Sequence, residues 1–158
     1  MDQDKTLIGN KLIENALIKM YKNLNEKNLA DVLTVIRKRM NDGGHFVVAV
    51  KYGTENSMEL RPVSTSDGKR WFAAFTSFDE ELKKSDPVVS GFTAEISKLF
   101  DIALGSDEIT GIIINPWDKA LKLDKNTIKL IKGQNHGSGS CKTLPKRKVS
   151  VILHAQKH

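Results

Sequence analysis

The stretch Ile112-Ile113-Ile114-Asn115-Pro116-Trp117 decides how the chain is read. Its isoleucines, with Ile109 just before them, are β-branched and suit a pleated, packed surface. The apolar run is nearly continuous rather than alternating, which predicts a strand covered on both faces. Asn115 precedes a proline and is therefore pushed out of the helical region. Asn115-Pro116-Trp117-Asp118 then fits a type I turn, with Asn first and Pro second. Leu121 and Leu123 flank Lys122 and predict a short returning strand of period two. Trp117 thus sits on a stiff turn at one rim of the domain. It either covers the hairpin, since Trp is usually highly buried, or serves as a binding anchor.

Working outward, Asp124 is placed to cap a last short helix carrying Ile128, Leu130 and Ile131, which Gly133 ends. On the other side, Thr93 is the expected cap of a helix with Ile96, Leu99, Phe100, Ala103 and Leu104 on its apolar face, closed by Gly105. Further back, Arg70-Trp71-Phe72-Ala73-Ala74-Phe75 reads as a strand. Thr76-Ser77 ends it and opens a helix whose Ser77-Phe78-Asp79-Glu80 matches a capping box. Asp86-Pro87 breaks that helix. His45 to Val50 and Met58 to Val63 are two earlier strands, joined to the third through an Asp67-Gly68 turn, and an antiparallel meander is expected.

The first 44 residues have helical period instead. Asp4 can cap a first helix with Leu7, Ile8, Leu12, Ile13, Ala16, Leu17 and Met20 at helical spacing. A second, starting near Asn28, carries Leu29, Val32, Leu33, Ile36 and Met40 and ends at Asn41-Asp42-Gly43-Gly44. The fold class expected is α+β: a mixed, mainly antiparallel sheet packed with several helices, namely two N-terminal helices, central strands and a C-terminal β-turn-β-α unit.

Composition limits the function classes. Hydrophobic residues at 39% and charged residues at 28% of 158 are ordinary for a soluble globular domain. No apolar run approaches a membrane span. The acidic start Met1-Asp2-Gln3-Asp4 lacks the parts of a signal peptide, and Cys141 is the single cysteine, so a cytoplasmic location is expected. The net charge of +6 is concentrated in the tail, where Lys142, Lys146, Arg147, Lys148 and Lys157 are accompanied by no acid. Nucleic-acid binding is therefore expected to be at most weak and confined to that tail. Three segments follow: a domain over 1–132, a basic linker over 133–148 containing Gly137-Ser138-Gly139-Ser140, and a short strand-like tail over 149–158.

The order of these pieces resembles the N-terminal domain of the SseB, or enhanced-serine-sensitivity, proteins of bacteria. The resemblance rests on Val47-Val48, on Phe72-Ala73-Ala74-Phe75-Thr76-Ser77 running into an acidic helix, and on Gly111-Ile112-Ile113-Ile114-Asn115-Pro116 followed by Leu121 and Leu123. It covers roughly residues 5–132, a typical single-domain span. It implies an α+β domain of a bacterial cytoplasmic protein. It implies no established enzymatic activity and supplies no catalytic residues.

The residues themselves agree with that silence. They contain no P-loop, dinucleotide fingerprint or nucleophile elbow. Asp79, Glu80 and Glu81 suit the first turn of a helix, where the macrodipole favours negative charge. His136, Cys141, His154 and His158 are zinc-ligand types at loose spacing, and His45 is expected as a half-buried strand-end residue, so no metal and no cofactor are expected. The expected function is a non-catalytic protein-interaction or regulatory domain with an unidentified protein partner; a homo-oligomer is compatible with it, a membrane is not. Its binding residues are expected among Asn115, Pro116, Trp117, Trp71, Phe75, Thr76, Ser77 and Phe78. The alternative is a small-molecule-binding domain or cryptic enzyme with a cleft near Thr76, Ser77 and Asn115.

Overall fold

The computed structural model describes residues 5–52, 58–60, 62–81, 89–133, Ile152 and Gln156. It is an α+β fold with one mixed, mainly antiparallel sheet. The strands are β1 (His45–Tyr52), β2 (Met58–Leu60), β3 (Pro62–Ser64), β4 (Arg70–Phe75), β5 (Val89–Glu95), β6 (Gly111–Ile114) and β7 (Leu121–Asp124). The helices are α1 (Lys5–Ile8), α2 (Lys11–Lys22), α3 (Glu26–Asn41), α4 (Phe78–Glu81), α5 (Ile96–Leu104) and α6 (Lys125–Lys132).

β1 lies between β5 and β4, and β4 continues to β6 and β7. β1 and β4 pair directly only at Val47–Phe75 and Val48–Ala74. Beyond that point β2 pairs with β1 while β3 pairs with β4, so 58–60 and 62–64 take up the facing edges of the two strands. The expected second strand is thus two short pieces with different partners. β4 and β6 form the parallel ladder among the described residues, Trp71–Gly111 to Ala74–Ile114.

Every residue of β6 is buried, as a continuous isoleucine run requires. Ile112 and Ile114 join the main core with Ile13, Leu17, Leu33, Ile36, Phe46 and Phe100, on the face covered by helices. Ile113 points the other way and joins Val47, Ala49, Trp71, Ala73 and Phe75. Alternation along each strand creates these two layers.

Four sequence expectations are corrected. The N-terminal stripe is not one helix: it breaks at Gly9-Asn10, and Asp4 lies outside the described residues. Asn10 is buried, and its side-chain amide donates to His45 O at 2.7 Å and Thr76 O at 3.1 Å, while Arg39 Nε donates to its Oδ1 at 3.1 Å. A Cβ on Gly9 would lie 2.6 Å from the Arg39 guanidinium. Anchoring Asn10 to the sheet shifts the helical phase, and Ile8 and Leu12 are left 53% and 54% exposed. The second helix starts at Glu26, two residues before Asn28, because Asn25 is its cap and accepts from Asn28 N at 2.8 Å.

Thr93 is not a helix cap. It lies in β5, opposite Val47, in a ladder that runs from His45–Glu95 to Lys51–Val89. The seven-residue strand pairs with β1 along its outer edge from His45 to Lys51. Helix α5 begins without a side-chain cap, and Ile96 N is satisfied by Gly44 O at 3.0 Å. Finally, Ile152 and Gln156 are helical residues, where the sequence suggested a strand-like run. Asp86-Pro87 falls outside the described residues.

The remaining caps form as expected. Asp124 accepts from Thr127 N at 2.8 Å, Gly133 ends α6 at φ 74°, and Ser77 Oγ accepts from Glu80 N at 3.2 Å. Arg37 of α3 adds a C-terminal cap to α6, donating to Ile131 O at 2.9 Å and Leu130 O at 2.6 Å. A guanidinium suits these C-terminal carbonyls by charge and by its forked donors.

Candidate functional site

The parallel strands β4 and β6 end side by side at Thr76 and Asn115. Both are buried, and they bond to each other through four polar groups. Asn115 Oδ1 accepts from Thr76 N at 3.0 Å, and Asn115 Nδ2 donates to Thr76 Oγ1 at 3.1 Å. The Thr76 hydroxyl donates to Glu14 Oε2 of α2 at 2.6 Å. Asn115 has φ 51°, in the left-handed region, where asparagine is one of the few side chains that sit without large cost. It is out of the right-handed helical region as the following proline demands, though left-handed rather than extended. Asp118 N donates to Asn115 O at 3.1 Å and closes the turn.

Trp117 is half-buried on that turn. Its ring lies 6.2 Å from Phe75, at 41° between planes, and it packs against the second apolar layer. Such tilted aromatic pairs hold a ring in one orientation. Trp117 therefore covers part of the sheet and still presents surface. Pro116 and Ser77 are half-buried beside buried Phe75 and Thr76, and Phe78 is exposed at the start of α4.

Trp71 belongs elsewhere. It shares the apolar layer with Phe75 but sits at the other end of β4, about 13 Å along the strand at the usual rise per residue. Its indole donates to Thr65 Oγ1 at 3.2 Å. It lines a cavity of about 200 Å³ with Asp67, Lys69, Lys122, Ile152 and Gln156. The Thr65 hydroxyl, and then the Lys69 amide, hold the Asp67 carboxyl below its usual pKa.

Sequence reasoning missed the flank of α2 that meets the turn. Glu14 binds Thr76, and Tyr21, seven residues on, donates its hydroxyl to Ala120 O at 2.5 Å. Ile18 lies between them on the same helical flank. Ile18 is 41% and Tyr21 47% exposed. The rim is thus built by α2 and the Asn115–Ala120 turn together. Gly9-Asn10 inside a helical pattern was the one available signal of a break. The Tyr21 contact spans 99 positions and leaves no local trace.

Burial, and then the nearby Asp118 carboxylate, raise the Tyr21 phenol above its ordinary pKa of 10.0. A raised phenol pKa stabilises the fold fully below the unfolded value and is lost as pH rises through the folded one. Stability should therefore fall above about pH 10, and Tyr21→Phe should flatten that part of the curve in urea unfolding at stepped pH. Equal slopes for both proteins would show that Tyr21 is free of Asp118 and of burial.

Among the described residues no group of three or more His, Cys, Asp or Glu could hold a metal ion. His136, Cys141, His154 and His158 lie outside them. His45 begins β1 half-buried, as expected, with Nδ1 buried and unbonded. No described helix is long and apolar enough to cross a membrane.

A family model, the SseB protein N-terminal domain, matches residues 13–129. The chain belongs to that family. No curated protein and no solved structure matches it. The SseB match contains Glu14, Ile18, Tyr21, Thr76, Asn115 and Trp117, so the whole rim lies inside the family domain. It stops short of Gly133, Ile152 and Gln156.

Proposed function

We propose that this SseB-type domain is a non-catalytic protein-interaction or regulatory domain of the bacterial cytoplasm, and that its rim of Ile18, Tyr21, Pro116 and Trp117 takes an unidentified protein partner. The observation that carries the reading is the pairing of exposed apolar surface with rigid support. Ile18 and Tyr21 are exposed on a helix flank that two side-chain hydrogen bonds, Glu14–Thr76 and Tyr21–Ala120, hold beside the Trp117 turn. Trp and Tyr are the residues that most often anchor interfaces, and a preorganised turn loses little entropy on binding. Thr76 and Asn115 support this role from below, because their polar groups bond to each other and to Glu14.

The test compares capture with stability. Ile18→Asp places a charge in the centre of the rim at an exposed position. The thermal midpoint should stay within a few degrees, because exposed substitutions change stability by only about 0.5 kcal/mol. Capture of a defined protein from source-cell lysate should be lost. Capture of the same proteins by wild type and Ile18→Asp would remove the rim from the account.

A further inference from the structure

We infer that the outer edge of β5 is a homodimer interface, on which a second copy of this chain pairs its own β5 in antiparallel register about Phe92. β1 and β4 separate β5 from β6, so this surface is distinct from the Trp117 rim, and the inference does not rest on that rim.

The ladder fixes which backbone groups face outward. Backbone bonds in an antiparallel pair fall on alternate residues. Ile96 N donates to Gly44 O at 3.0 Å, one step beyond the His45–Glu95 pair, so the even-numbered residues of β5 turn their polar groups toward β1. His45 O obeys the same alternation: it faces away from β5 and accepts from Asn10. Gly91, Thr93 and Glu95 therefore aim their N–H and C=O groups at the outer edge. That edge is open to solvent. Gly91 has no side chain, so its partial exposure is exposure of main chain, whereas Gly111, with a strand on each side, is buried. Helix α5 leaves the edge clear, because it turns back over the sheet to pack on β6 and α6.

A strand edge of this kind templates another strand unless lysine, proline or a bulge blunts it. Val89–Glu95 carries none of the three: its sequence has no lysine or proline, and its register with β1 runs through seven consecutive pairs without a slip. A second copy is the occupant that fits. Phe92 is the midpoint of the strand, so a twofold axis through it matches the whole strand with itself. Gly91 and Thr93 then form the hydrogen-bonded pairs, and Phe92 meets its twin at a closely spaced, non-bonded pair. Phe92 lies opposite Val48 on the helix-covered face, yet it is 42% exposed where Val48 is buried. The second Phe92 supplies the aromatic neighbour that this face ends without. Charge permits the pairing. Glu95 is the one charged residue of the strand, and the twofold axis keeps its two copies about 20 Å apart at the usual rise per residue.

Sedimentation velocity of the full chain over a concentration series tests this. The wild type should pass from monomer to dimer as concentration rises. Phe92→Lys sets two like charges face to face at an exposed position. It should weaken the dimer about thirtyfold or more, the effect of losing a central aromatic anchor, and leave the thermal midpoint within a few degrees. Ile18→Asp, on the rim, should dimerise as the wild type does. Cross-linking in a Cys141→Ser chain, which lacks the single native thiol, then reads the register. Under mild oxidation Phe92→Cys should form a covalent dimer, because its paired Cα atoms would lie about 4.5 Å apart, within disulfide reach. Thr93→Cys should not, since its twin is two residues out of register. A wild type that stays monomeric at every concentration would overturn the inference. So would a dimer that Phe92→Lys leaves intact or that Ile18→Asp abolishes, cross-linking through Thr93→Cys, or failure of Phe92→Cys to cross-link. If Phe92→Lys does not fold, the cross-linking pair decides alone.

Discussion

Gly111→Ala should unfold the domain or remove about 4 kcal/mol or more of its stability, a loss reserved for severe backbone conflicts. A Cβ at Gly111 would lie 2.0 Å from Leu123 O, 2.8 Å from Asp124 Cα and 2.9 Å from Leu123 C. All three are backbone atoms, so no side chain can swing aside. β7 cannot retreat as a unit either: Leu121 and Leu123 are fully buried, and Asp124 caps α6 through Thr127. On the opposite edge Gly111 faces Trp71 in the parallel ladder. The absent side chain is what lets β6 lie between β4 and β7 at this point. With a total stability of about 5–15 kcal/mol for a typical domain, the loss takes a large share. Urea unfolding by circular dichroism measures it. A change below about 1 kcal/mol would mean that β6 and β7 are farther apart than this register allows.

Asn115 carries the second large effect, and it separates into two parts. Asn115→Leu leaves the buried Thr76 N–H without its acceptor and the Thr76 hydroxyl without a donor. The unsatisfied buried N–H costs about 1–3 kcal/mol, whereas the hydroxyl keeps its bond to Glu14 and loses less. Leucine at φ 51° adds roughly 1–2 kcal/mol of steric cost. The expected total is about 4 kcal/mol. Asn115→Gly loses the same hydrogen bonds but fits the backbone, so it should be about 1–2 kcal/mol less destabilised. Denaturant unfolding of both variants tests this. Equal losses would show that backbone conformation contributes nothing at Asn115.

Much of this fold was legible in residue types with a local cause. The isoleucine run, the Asn-Pro turn, the Asp124 cap and the Gly133 stop each act within a few positions, and each forms as read. The α+β class and the family resemblance followed from their order. What failed had a distant cause. Thr93 resembles a helix cap until β1 requires a partner along its outer edge. Leu12 fits a helical stripe until Asn10 is drawn to His45 and Thr76, 35 and 66 positions away. Of the expected binding residues, Asn115 to Trp117 and Phe75 to Phe78 do gather near the ends of β4 and β6. Trp71 does not, because its place in the same strand puts it at the other end. Glu14, Ile18 and Tyr21 were invisible as site residues, since the helix that carries them looked like core packing alone.

The two tryptophans make the most direct measurement possible. Trp117 sits on the proposed partner surface, and Trp71 is buried beside the β7 cavity, with its indole bonded to Thr65. With indole ¹⁵N labels, each gives its own NMR resonance in the intact protein. In source-cell lysate, the Trp117 signal should broaden or shift while the Trp71 signal stays as it is in buffer. Ile18→Asp should abolish the change. An unmoved Trp117 signal in lysate that contains the captured protein, or a change confined to Trp71, would contradict a partner surface at the rim.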